Sequence, residues 1–151
     1  MDYQKPDDTQ MTDMLQMFVG PAAKAKATDS GNTEALSFTA LYINGEGDTV
    51  ATCSCDMPTA AALGGSLSMI PMGGVEGMVE DNALTEMATD NLYEVMNILS
   101  SLLMSDSTSH LKLSKVEPDT TNRYVEDGSE EAAYTLDLGN YGPGELIFNF
   151  S

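Results

Sequence analysis

Apolar residues recur along this chain in two rhythms, one helical and one alternating. From Thr12 to Val19 the positions Met14, Leu15, Phe18 and Val19 return at helical spacing. Gly20-Pro21 is expected to end that helix. Residues 1–10 are polar and are expected to be flexible, and residues 22–34 to extend the helix briefly and then become a loop. Leu36 to Ile43 reads as a strand, with Leu36, Phe38, Ala40 and Tyr42 on one face. The turn Asn44-Gly45-Glu46-Gly47-Asp48 leads into a return strand from Thr49 to Cys55, a hairpin signal. Asp56, just before Met57 and Pro58, suits a helix entry, and Thr59 to Met69 predicts a short helix. Gly64-Gly65 weakens that helix but lets another backbone come close. Pro71-Met72-Gly73-Gly74 is expected to break it. Asp81 or Asn82 would cap the next helix, the longest, which is expected to run from about 82 to 104. Leu111 to Val116, Ala132 to Leu138 and Glu145 to Phe150 alternate as strands, and the acidic stretch 117–131 reads as an exposed connection.

The predicted order is α-β-β-α-α-β-β-β. Short turns between strands point to an α+β fold in which helices pack on a largely antiparallel sheet. At 151 residues and 42% apolar content, one domain over 1–151 can bury a core. The charge narrows the function classes. Asp and Glu number 24 against 6 Lys plus Arg, a formal charge of -18. That field repels nucleic-acid backbones and anionic lipid, so neither is an expected partner. No run reaches the ~18 apolar residues of a membrane span, and the N-terminus has no basic start followed by an apolar stretch, so no secretory leader is expected. The two cysteines, Cys53 and Cys55, are too close to meet disulfide geometry readily and read as buried free thiols suited to a cytoplasmic location. His110 reads as a loop residue, and no ligand cluster or phosphate-loop motif is evident, so no bound cofactor or metal is expected. The eleven methionines mostly take core-like positions, an adaptable Met-rich surface being the alternative.

On a wheel of about 100° per residue, the segment Asp81 to Met104 divides cleanly. Leu84, Ala88, Leu92, Val95, Leu99, Leu102 and Leu103 form the side expected to be buried. Glu86, Asp90, Glu94, Asn97 and Ser101 fall within roughly 80° on the other side. Glu94 and Asn97 are three apart, so a carboxylate and a carboxamide project together and could dock one cation and hold one water. The spacing alone also fits an ordinary solvated helix face.

The run Asp90-x-x-x-Glu94-x-x-Asn97, followed by Ile98 and Leu99, resembles the D-x-x-x-E-x-x-N helix of the CheC/CheX/FliY chemotaxis phosphatases. The approach is similar too: a hairpin, Asp56, an Ala-rich helix with Ala60, Ala61, Ala62 and Gly64, and a Met-rich break. The chain has one such helix, as CheX-type members do. The resemblance implies a phosphorylated response regulator of CheY type as partner, with Asn97 orienting the water that attacks the aspartyl phosphate. Glu94 would pair with a regulator lysine, and Asp90, Ser101 and Glu86 would be supporting partner contacts. The Mg²⁺ would be carried by the receiver. The alternative is a non-catalytic module docking a signalling or flagellar partner. CheX-type relatives are dimeric, which implies a homodimer, and the C-terminal strand Glu145 to Phe150 is expected to offer it a sheet edge.

Overall fold

The computed structural model describes residues 3–29 and 33–151. The elements run α1 (Asp8–Val19), β1 (Lys24–Thr28), β2 (Leu36–Ile43), β3 (Thr49–Asp56), α2 (Met57–Ser66), α3 (Met72–Asp81), α4 (Glu86–Leu99), β4 (Lys112–Glu117), β5 (Glu130–Asp137) and β6 (Pro143–Phe150). Among the described residues, one antiparallel sheet of order β1-β5-β6-β3-β2-β4 joins six strands. Inward side chains from the sheet, among them Tyr42, Cys53, Cys55, Tyr134, Phe148 and Phe150, share one core with Met11, Leu15, Leu63, Leu92 and Leu99 of the helices. The fold is therefore α+β, as the alternation predicts. Cys53 and Cys55 sit in that core as free thiols, and burial pushes both thiols up from their ordinary value.

Several expectations are corrected. Residues 3–10 are not loose. Tyr3 and Pro6 are buried, the Gln4 backbone N–H donates to Leu103 O at 2.9 Å, and the Tyr134 hydroxyl donates to Pro6 O. Helix α1 begins at Asp8 behind a capping box of Asp7 and Gln10. Residues Lys24–Thr28, expected to be helix or loop, form edge strand β1 against β5. Ala25 alone is buried there, so the hydrophobic pattern was too thin to register a strand. The helix expected over 82–104 is shorter, Glu86–Leu99, and a helix that the sequence did not predict, α3, precedes it. Asn82 takes the left-handed conformation, φ 52°, and ends α3, which Pro71 opens. Thr85 then caps α4, accepting from Ala88 N, and a 3-10 turn at Ser100–Leu102 finishes it. Helix α3 forms despite Gly73, Gly74 and Gly77 because Val75 and Met78 bury against Ala61 of α2 and Ala88 of α4. Burial overrides weak propensity. Leu84, expected in the core, is only half-buried, because it lies in the connection before α4.

The C-terminal strand is not an edge. β6 lies between β5 and β3, and Leu146, Ile147 and Phe148 are all buried, as an interior strand requires. The edges are β1, which carries exposed Lys24 and Lys26, and β4. Leu36 leaves the face of Phe38, Ala40 and Tyr42. A bulge sets Leu36 opposite Asp56 and Phe38 opposite Cys55, turning Leu36 to the far side with Ala133 and Ile147. The acidic connection after β4 is largely exposed but folds over that far side. Tyr124 N donates to Thr52 Oγ1 at 3.1 Å, and Arg123 donates to Asn149 Oδ1 and Glu131 Oε1, each at 3.1 Å.

Candidate functional site

Helix α4 is held from several directions. Ala88, Leu92, Val95, Met96 and Leu99 are buried, as are Leu102 and Leu103 beyond it. Gly64 of α2 faces the Ala88 carbonyl so closely that a Cβ on it would collide with that oxygen. Asn91 Nδ2 donates to Gly64 O at 2.8 Å and also reaches Ser68 Oγ. Tyr42 donates to Met96 O at 2.6 Å, and Tyr93 to Leu113 O of β4 at 3.5 Å. Buried polar groups with partners hold a helix at fixed depth and rotation.

That rotation leaves Glu86, Asp90, Glu94, Asn97 and Ser101 all exposed in one row. The Glu86, Asp90, Glu94 and Asn97 side chains make no ion pair or hydrogen bond with another described residue. Ser101 Oγ donates to Ile98 O at 2.8 Å, so its hydroxyl is engaged locally. Asp90, Glu94 and Asn97 thus come together on one rigid surface. Glu86 lies in the first turn and Ser101 just beyond the last, so they flank the pair from opposite ends.

Sequence reasoning overlooked the apolar borders of this row. Met87, Tyr93 and Ile98 are 57%, 41% and 38% exposed. On the wheel Met87 and Ile98 fall on one side of the polar row and Tyr93 on the other. The signal was present, since these are large apolar side chains outside the buried stripe. Five cavities of about 300 to 730 Å³ open on the described surface without an α4 residue in their lining. Among the described residues, no three His, Cys, Asp or Glu side chains gather as a metal site would, and no helix is long and apolar enough to cross a membrane. His110 is exposed in the loop before β4, as expected.

A single antiparallel sheet carrying α1, α2 and α4 on one face is an architecture with known relatives. Among solved structures the chain is similar to CheX from Borrelia burgdorferi, solved as a complex with CheY, BeF₃ and Mg²⁺: TM-score 0.58, 14% identity, 92% of each chain covered. It is similar to CheX from Vibrio vulnificus, with TM-score 0.51, 14% identity and coverage of 95% and 92%. FliM from H. pylori, solved with SpeE, matches at TM-score 0.53 and 6% identity, covering 95% of this chain and 78% of that one. No family model and no curated protein sequence matches. The chain has the CheC/CheX fold, in a form whose sequence is far from these neighbours.

Proposed function

We propose that this protein dephosphorylates a CheY-type response regulator by inserting the outer row of α4 into the receiver's active site. The observation that carries the reading is the pairing of Glu94 and Asn97, exposed and unengaged, on a helix locked by the core. An aspartyl phosphate is already reactive, so little covalent chemistry is required of the catalyst. The Asn97 carboxamide holds a water in line with the phosphorus. The water oxygen forms the new P–O bond, the acyl P–O bond breaks, and the aspartate leaves as carboxylate. The water's protons remain with the phosphate or pass to solvent. Glu94, one turn earlier, pairs with a receiver lysine and sets the register, and Asp90 supports it. Mg²⁺ belongs to the receiver in this scheme.

A second reading is non-catalytic docking. The exposed Met87, Tyr93 and Ile98 favour it, since they could bury against a partner whether or not Asn97 acts. Loss of radiolabelled phosphate from a panel of phosphorylated receiver domains separates the two. Removing a positioned hydrogen-bonding group costs about 10²–10³ in rate, so Asn97→Ala is expected to abolish most of the stimulated decay without changing thermal stability. Glu94→Ala is expected to raise the protein concentration needed for half-maximal stimulation. If wild type and Asn97→Ala leave every receiver decaying alike, the enzymatic reading is wrong and docking takes its place.

A further inference from the structure

The methionines do not stay in the core. Met11, Met57, Met78 and Met96 are buried, but Met17, Met69, Met72 and Met87 are exposed. Three of the exposed four line one groove. It runs between the C-terminal end of α1, the α2–α3 connection and Tyr141, as two adjoining cavities of about 730 and 370 Å³ that share Met72 and Tyr141. Met69 is 89% exposed and has φ 56°, a left-handed conformation that side-chain-bearing residues rarely adopt. The backbone thus holds a large apolar side chain out in water at the groove's edge, the kind of outlier that collects at functional positions. The second cavity continues the apolar floor with Val75 and Val79.

Charge selects the occupant. The charged residues lining the two cavities are Glu76 and Glu80, and none of Lys5, Lys24, Lys26, Lys112, Lys115 or Arg123 lines either. The whole chain adds a formal charge of -18. An anionic membrane or an acidic protein is repelled from such a site, whereas a cationic segment is drawn to it. Unbranched, polarisable methionine suits a surface that must fit apolar anchors spaced along a helix. We propose that this groove docks a basic amphipathic helical segment of a partner protein, with apolar anchors seated on Met17, Met69 and Met72 and Lys or Arg beside Glu76 and Glu80. No α4 residue lines the groove, so this surface is separate from the Glu94–Asn97 row and does not rest on the phosphatase reading.

The test uses the full chain and fluorescent model peptides built from Leu and Lys. One peptide places its leucines at i, i+3, i+4 and i+7; a second has the same composition with leucines scattered around the helix; a third replaces Lys by Glu. The patterned Leu/Lys peptide is expected to bind, and to shift the methyl NMR signals of Met17, Met69 and Met72 but not Met87. The combined variant Met17→Ser, Met69→Ser, Met72→Ser and the variant Glu76→Lys, Glu80→Lys should each weaken binding at least about tenfold. Circular dichroism should show both folded, as these residues are exposed. A charge-matched control, Glu126→Lys with Asp127→Lys in the connection before β5, should bind like wild type. The proposal is overturned if the patterned peptide does not bind, if the scattered peptide binds as well, or if the control weakens binding as much as the groove variants. The first would mean an unused groove, and the other two mere attraction to bulk charge.

Discussion

Gly64 and Gly73 are both helical glycines, yet the space around them differs. A Cβ on Gly64 would meet the backbone carbonyl of Ala88, which cannot move aside as a flexible side chain could. Gly73 has nothing within 4 Å of the place a Cβ would take. Replacing helical Gly by Ala gains up to about 1 kcal/mol from chain entropy and propensity. Overpacking a tight contact costs about 1–3 kcal/mol. At Gly64 the collision should win, so Gly64→Ala is expected to lower the urea midpoint. Gly73→Ala has no such opposition and is expected to raise it. Gly144 belongs with Gly64, because its absent Cβ makes room for the Thr59 side chain where α2 meets β6.

Helix α4 joins two jobs, since one face builds the core and the other carries the proposed chemistry. Leu92 and Leu99 are fully buried in the main core cluster. Truncating either to Ala is expected to cost about 2–5 kcal/mol, the range for a buried Leu leaving a cavity, as read from chemical denaturation. Leu84 is only half-buried, so its truncation should cost less. A loss below about 0.5 kcal/mol at both Leu92 and Leu99, the size of a surface substitution, would mean the wrong face had been placed inward. The boundary between α3 and α4 follows from Asn82 and Thr85 rather than from periodicity. Asn82, expected to open the long helix, instead takes the left-handed conformation that closes α3, and Thr85 caps α4. Asn and Thr at those positions were visible in the chain. Which of them would act was not, because α3 forms only through contacts with α2 and α4.

The whole molecule adds two dependences on solution conditions. Burial raises Cys53, Cys55, Tyr42 and Tyr134 from their ordinary values of 9.0 for thiols and 10.0 for tyrosines. An acid with a raised folded-state pKa keeps its proton in the fold after the unfolded chain has lost it. Its contribution to stability is therefore complete below the unfolded value and falls as pH rises through it. Stability should decline as pH climbs above about 9 through this linkage, and Cys53→Ala should shallow the decline measured by denaturant titration at successive pH values. The formal charge of -18 governs encounter. A receiver active site is itself acidic, so added salt should first speed the proposed dephosphorylation by screening repulsion, then slow it once the Glu94 pairing is screened. A rate that falls monotonically from the lowest salt would show that attraction, not repulsion, dominates the approach.

Local rules along the chain were enough for most of the sheet and for the two faces of α4. Strands β2, β4, β5 and β6 announce themselves by alternation, β3 by the turn before it, Asp56 by its place before Met57-Pro58, and the Glu94–Asn97 row by a helical period that needs only the helix to be read. The exposed row and the buried stripe of α4 fall where that period puts them. Tertiary structure decided what depends on partners distant in sequence. Lys24–Thr28 becomes a strand because β5 offers it an edge, and the C-terminal strand is interior because β3 and β5 both reach it. Leu36 changes sides because its strand bulges against β3, and Gln4 and Pro6 are held by Leu103 and Tyr134. In each case the local signal was weak or evenly balanced, and hydrogen bonds and burial supplied by remote residues tipped it.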